Sequence, residues 1–120
     1  MTACLIIAAA AVQLAGAEFE LSWEHSVEKT IWRETWVING DALELREAAV
    51  KGSGAGMDPG EGAVLGDGWW VWAPNLPPVE KLVLAASGAT AGGWRLCSQD
   101  ICREVGISAD APITVSVCPK

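Results

Sequence analysis

The segment FELSWEHSVEKTIWRETWVI, residues 19–38, decides the fold because apolar and polar side chains alternate along both of its halves. Period-two alternation is typical of β-strands that bury one face. A four-residue turn at residues 28–31 would join the halves into a hairpin in which large apolar residues face each other. In this register we predict that His25 lies opposite Glu34, so that the sole histidine meets a carboxylate within an apolar surface.

Turn signals punctuate the sequence beyond this hairpin. Asn39-Gly40 is a strong two-residue turn signal, and it would place Trp36 opposite Leu43. Residues 44–50 include good helix formers, but their alternation favours a strand. We therefore predict an all-β fold, a small antiparallel sandwich or partly open barrel of about eight strands. The predicted strands lie within residues 19–27, 32–38, 42–45, 63–65, 69–72, 81–86, 93–97, 102–105 and 113–117.

Length and charge narrow the classes of function. The chain has 120 residues, which suits one small domain, and its net charge is −7. An acidic chain without a basic stripe repels phosphate backbones, which argues against nucleic-acid binding.

The N-terminus resembles an export signal. Residues 4–14 are apolar, and Ala15-Gly16-Ala17 fits a small-x-small cleavage site. We predict a signal peptide over residues 1–17, cleaved before Glu18, and a single β domain over residues 18–120 in the periplasm of a Gram-negative cell. No Lys or Arg precedes the apolar run. The alternative is an uncleaved short anchor, and membrane association is expected only in that case.

Three cysteines follow the predicted cleavage site. Cys97 and Cys102 flank a hairpin loop, and directly opposed residues in a hairpin lie within disulfide reach. A disulfide is the first interpretation, and half of a metal site is the alternative, although no second pair of ligands follows. Cys118 would remain free or would pair with another chain.

Three groups of residues are candidates for function. His25 and Glu34 could form a buried pair that fixes the strand register, a ligand or partner site, or a catalytic pair. Ser26 is a poor nucleophile for His25 because adjacent strand residues point to opposite faces. Residues 52–57 hold three alternating glycines, which permit close approach by a ligand or simply connect two strands.

The seven tryptophans form the third group. Trp23, Trp32 and Trp36 share the predicted inner face and suit a core. Trp69 and Trp70 must point to opposite faces, so at least one of them is expected to be exposed. An exposed indole can stack on a sugar ring or on a partner surface.

Several of these motifs occur together in one family. The segment from Trp23 to Thr30, Glu34, residues 54–57 and the Trp-Trp-Val-Trp run at residues 69–72 resemble the bacterial domain-of-unknown-function family 1850. The resemblance covers roughly residues 19–105. It implies a small exported protein, often encoded beside TAXI-type TRAP transporters, which import small organic acids through a periplasmic binding protein and a membrane permease. The family-pattern positions in this chain are His25, Ser26, Glu34, Gly54, Ala55, Gly56 and Met57.

Together with what this resemblance implies, these observations lead us to expect an exported accessory domain of a TRAP-type uptake system, without a cofactor or metal. It would bind a transporter subunit or a small organic anion near His25, Glu34 and the glycine segment. The alternative is a carbohydrate- or envelope-binding module that uses exposed tryptophans. A hydrolase in which His25 and Glu34 activate a water is the third hypothesis, and we do not expect an enzyme.

Overall fold

The computed structural model describes residues 3–25, 30–51, 62–84, 94–99, 101–105 and 112–119. Eleven strands in this part of the chain form two antiparallel sheets, and no helix occurs in these ranges. The described residues therefore contain no helix that is long and apolar enough to cross a membrane. The strands are β1 (Ala3–Ile7), β2 (Ala10–Leu14), β3 (Glu18–His25), β4 (Thr30–Asn39), β5 (Ala42–Lys51), β6 (Val64–Gly66), β7 (Trp69–Trp72), β8 (Lys81–Leu84), β9 (Trp94–Ser98), β10 (Ile101–Val105) and β11 (Ile113–Val117).

The two sheets make an open sandwich, which confirms the all-β prediction and decides against a closed barrel. The larger sheet has the order β10-β9-β3-β4-β5-β7-β6, and the smaller has the order β2-β1-β11-β8. Strands β3 to β11 correspond to the strands predicted from the sequence. Strands β1 and β2 come from residues predicted to be part of a signal peptide.

The core lies between the sheets and draws on both. Leu21 of β3 and Leu43 of β5 are fully buried, as are Leu5 of β1 and Val115 of β11. Burying a side chain of this size contributes roughly 1.5–3 kcal/mol. The smaller sheet therefore covers the apolar face of the larger one, and each sheet depends on the other for burial.

The turn of the β3–β4 hairpin lies two residues earlier than predicted, so each β3 residue pairs with a β4 residue four positions before its predicted partner. Trp23 pairs with Trp32 rather than with Trp36, and His25 pairs with Thr30 rather than with Glu34. Because side chains alternate with a period of two, this shift leaves every residue on its predicted face. The alternation of apolar and polar residues is the same in both registers. Matching large apolar residues across the hairpin selected the wrong one, since Leu21 lies opposite Glu34.

The β4–β5 hairpin is also shifted, and it contains a β-bulge. Asn39 pairs with Ala42, so the turn consists of Gly40 and Asp41 rather than Asn39 and Gly40. Gly40 has a φ of 65°, in the left-handed region that glycine adopts readily. Trp36 consequently pairs with Leu45, not with Leu43, and the register shifts between Thr35 and Trp36.

All four cysteines form disulfides within the chain. Cys97 pairs with Cys102 across the β9–β10 hairpin, as predicted, which removes the metal half-site alternative. Cys118 bonds to Cys4, so both predicted fates of Cys118, a free thiol and a bond to another chain, are wrong. The physical reason is that Cys4, assigned by composition to a cleaved leader, lies in a strand of the same sheet as β11.

Candidate functional site

One end of the larger sheet is lined by tryptophans from four strands. We call Trp23, Trp32, Trp70, Trp72 and Trp94 the tryptophan end. Strand pairing aligns Trp23 with Trp32, and Val50 of β5 lies between Trp32 and Trp70 in the same row. All five indoles are half-buried, unlike Trp36, which is 7% exposed. The tryptophan end is therefore accessible apolar surface at the margin of the core.

Four of the five indoles of the tryptophan end contact one another, whereas Val50 lies between Trp32 and Trp70. The rings of Trp23 and Trp32 stack with centroids 6.0 Å apart, and Trp94 packs against Trp23 at 4.4 Å. Trp72 meets Trp32 edge-on at 6.4 Å. Aromatic pairs in such geometries gain about 0.5–1.5 kcal/mol beyond their buried area. The cluster is thus a firm surface formed by β3, β4, β7 and β9.

Glu34 lies on the same face, beside the indoles. It pairs with the fully buried Leu21 on one side and with the buried Ala48 on the other, and opposed residues in a sheet point to the same face. The Trp36 Nε1–H group donates a hydrogen bond of 3.1 Å to Glu34 Oε1. An ionisable side chain is therefore set among apolar groups with one described hydrogen-bond donor.

This setting changes the protonation of Glu34. Burial removes water from the carboxylate and raises the pKa of Glu34, and the hydrogen bond from Trp36 offsets part of the rise. A carboxyl group in such a place can accept a proton at a higher pH than usual and then donate a hydrogen bond. The site can thus recognise a polar group of a partner through Glu34 and apolar groups through the indoles.

The pH dependence of stability should report this environment. Because the pKa of Glu34 is higher in the folded than in the unfolded chain, the folded state binds the proton more tightly. Stability is then greatest below the unfolded pKa and falls as pH rises through the folded pKa, by at most about 1.4 kcal/mol per pH unit. We expect Glu34→Gln to remove this fall and to be more stable than the wild type at pH 7, as measured by urea unfolding from pH 4 to 7.5.

The matched control is Glu104→Gln, which makes the same chemical change on the exposed edge strand β10. A pH-dependent difference from the wild type that both variants share would contradict the assignment to Glu34.

The other predicted site residues are placed only in part. The backbone of His25 ends β3, and its side chain lies outside the described part of the structure, as do Ser26 and residues 54–57. Their strand attachments are described: Glu24 pairs with Ile31, which pairs with Lys51, the last residue of β5. The segments 26–29 and 52–61 therefore leave adjacent strands at one end of the sheet, next to the tryptophan end.

The predicted pairing of His25 with Glu34 does not occur in the ladder. His25 pairs with Thr30, four residues before Glu34 on β4. At about 3.3 Å per residue, the two backbone positions lie roughly 13 Å apart along the strand. This removes the geometric basis of the hydrolase hypothesis. Within the described residues, no group of three or more His, Cys, Asp or Glu side chains is arranged to hold a metal ion.

The opposite face of the sheet carries a different set of contacts. The Arg33 guanidinium lies 4.4 Å from the ring centre of Trp69, and the Lys51 ammonium lies 5.8 Å from it. Arg33 also approaches Glu20 at 3.8 Å. The prediction that Trp69 and Trp70 face opposite ways agrees with these contacts, and Trp69 is covered by cations instead of joining the tryptophan end.

Sequence reasoning missed the contributions of Trp72 and Trp94. Trp72 lies two residues after Trp70, and Trp94 lies two residues before Leu96, so the members of each pair share one face of their strand. The sequence does not show which strand lies next to theirs. The neighbours β3–β9 and β5–β7 are far apart in sequence. Only the sheet order brings Trp94 onto Trp23 and Trp72 onto Trp32.

Two shallow depressions flank the Cys97–Cys102 disulfide, with volumes of about 260 and 300 Å³. Arg95, Arg103 and Glu104 line the first, whereas Glu18 and Glu20 are among the residues that line the second. Neither joins an apolar surface to a half-buried ionisable group such as Glu34, so the tryptophan end is the better candidate.

Comparisons with known proteins agree with the motif resemblance. No curated protein and no solved structure matches the chain. A family model described as a domain of unknown function, DUF1850, matches residues 19–105, from the second residue of β3 to the end of β10. Because this match covers most of the chain, the protein belongs to the DUF1850 family.

Proposed function

We propose that this protein is an exported accessory domain of a TAXI-type TRAP uptake system, and that it binds a transporter component or a small anionic solute at the tryptophan end. The observation that carries the proposal is the meeting of three features at one end of the sheet. These are the accessible indoles, the desolvated Glu34, and the strand ends from which segments 26–29 and 52–61 depart.

The disulfides support the cellular location. Two disulfides in a chain of 120 residues are typical of proteins that fold in an oxidising compartment, such as the bacterial periplasm. A periplasmic location is where a TRAP system exposes its binding protein and the outer surface of its permease.

The chemistry of the tryptophan end favours a protein component over a free anion. Aromatic side chains are enriched in protein–protein interfaces, where they bury large areas. An anionic solute would meet the carboxyl group of Glu34 and a chain of net charge −7, and both disfavour its approach. A transporter subunit with an apolar patch and hydrogen-bonding groups matches this surface better.

The test is a binding measurement with purified transporter subunits. We expect His25→Ala to keep the thermal transition of the wild type and to weaken binding at least tenfold, because His25 ends the strand that leads into segment 26–29. The matched control is Arg46→Ala, whose ion pair with Glu18 is exposed and distant from this end of the sheet. An unfolded His25→Ala variant would show that the histidine stabilises the fold. Equal affinities of all three proteins would remove the proposed site.

A carbohydrate- or envelope-binding module is the second candidate, and the half-buried state of five indoles favours it. Sugar rings stack on accessible indole faces. Calorimetric titration with soluble cell-wall glycan fragments should then give a signal that Trp70→Ala, on the outer part of the row, weakens. If the glycan fragments give no heat of binding and the transporter subunits still bind, the glycan-binding candidate is excluded and the transporter proposal remains.

A further inference from the structure

The N-terminal hairpin β1–β2 supplies two of the four strands of the smaller sheet, with β1 internal and β2 at the edge. Strand β1 lies between β2 and β11, with Leu5 opposite Val117 and Ile7 opposite Val115. Five residue pairs join β1 to β2, from Ala3 with Leu14 to Ile7 with Ala10. Without β1, the smaller sheet would retain only the β11–β8 pair.

The side chains of this hairpin belong to the core. Leu5 and Ile7 of β1 are 0% and 4% exposed, and Val12 and Leu14 of β2 are 8% and 4% exposed. They alternate with more exposed residues, as expected of strands with one buried face. The core cluster that includes Leu21 is therefore completed by residues 5–14.

Covalent and hydrogen bonds tie the hairpin to the other end of the chain. Cys4 forms a disulfide with Cys118, and the Cys118 N–H group donates a 3.0 Å hydrogen bond to the Cys4 carbonyl oxygen. The Ile38 N–H group donates a 2.8 Å hydrogen bond to the carbonyl oxygen of Ala17. The peptide bond between Ala17 and Glu18 thus lies where the hairpin joins the ladder of the larger sheet.

We infer that residues 3–14 are a permanent part of the mature domain, and that the chain is not cleaved between Ala17 and Glu18. A chain that begins at Glu18 would lack two strands, four core side chains and the partner of Cys118. This replaces the cleaved leader expected from composition. It rests on the fold alone, and it leaves the disulfides, not a cleaved leader, as the support for the proposed periplasmic location.

Tryptic mapping of the protein isolated without reduction from cells that express the full chain tests the inference. Cys97 and Cys102 lie in the same tryptic peptide, residues 96–103, so their disulfide does not cross-link two peptides. The expected cross-linked species joins residues 1–29, which contain Cys4, to residues 104–120, which contain Cys118.

Thiol counting gives an independent readout. We expect no alkylation before reduction and four alkylated cysteines after it. A protein that begins at Glu18 with an alkylated Cys118 would overturn the inference. An intact N-terminus with both Cys4 and Cys118 alkylated would also overturn it, because the segment would then be outside the domain.

A pair of variants tests whether the hairpin forms in the folded protein. Ala8 and Ala9 in its turn have φ values of 50° and 73°, a left-handed backbone that disfavours alanine. We expect Ala9→Gly to raise Tm by about 4 °C, and Ala11→Gly, in the extended strand β2, to lower it. Unchanged Tm in both variants would contradict a folded hairpin.

Discussion

A chain that begins at Glu18 is expected to lose cooperative folding. It lacks β1 and β2, and with them the buried side chains of Leu5, Ile7, Val12 and Leu14. At roughly 1.5–3 kcal/mol for each buried side chain, their loss removes about 6–12 kcal/mol of hydrophobic stabilisation. Since small domains are stable by only about 5–15 kcal/mol, little or no net stability remains. Thermal unfolding followed by near-UV circular dichroism measures the result.

Point substitutions separate the role of burial from that of chain length. Leu5→Ala should destabilise the full chain by about 2–5 kcal/mol, since Leu5 is fully buried. Gln13→Ala, on the exposed face of β2, is the control and should change stability by less than about 0.5 kcal/mol. A chain from Glu18 that melts at the temperature of the full chain would contradict the structure of the smaller sheet.

Loss of the Cys4–Cys118 disulfide is expected to have a much larger effect on stability than loss of the Cys97–Cys102 disulfide. The first joins residues 114 apart in sequence and the second joins residues 5 apart. A cross-link stabilises by restricting the unfolded chain, and the effect grows with loop length. The expected losses are about 5 kcal/mol for Cys4→Ser with Cys118→Ser, and about 2 kcal/mol for Cys97→Ser with Cys102→Ser.

Each double variant is the control for the other, because both replace two sulfurs by two hydroxyl groups. Urea unfolding of the two variants and the wild type, without reductant, gives the comparison. Equal losses, or a larger loss from the Cys97 and Cys102 variant, would show that the long-range bond does not restrict the unfolded chain as the structure implies.

The faces of the strands could be predicted from the sequence, whereas their partners could not. Alternation assigned Trp23, Trp32, Glu34 and Trp36 correctly to one face, because a side chain's face depends only on its own strand. The pairing of Trp23 with Trp32 depends instead on where the chain turns. Moving the turn by two residues preserves the face of every side chain but changes its partner, so that Leu21 lies opposite Glu34.

The smaller sheet shows a second kind of ambiguity. An apolar run of eleven residues suits the hydrophobic part of a signal peptide, and it equally suits two short buried strands. Local composition does not distinguish these structures, and the signal peptide stays a prediction. In the structure, β1 contacts β11 and Cys4 bonds to Cys118, both at the far end of the sequence.

The candidate site was predicted in composition but not in arrangement. Glu34 was selected as a carboxylate on an apolar face, and it lies there with a raised pKa. Its predicted partner was His25, yet the described donor is the indole of Trp36, two residues away on the same strand. The roles of Ser26 and residues 54–57 stay predictions, since those residues lie outside the described part of the structure.

The bond between Cys4 and Cys118 also determines how the domain responds to force. Because it links residues close to both ends of the sequence, tension applied through the two termini passes through this covalent link and bypasses the sheets. The sandwich between the two cysteines would carry almost no load and could not be extended by such a pull. A domain tethered on either side of these two cysteines would therefore act as a short inextensible connector, and reduction of this one bond would allow it to extend.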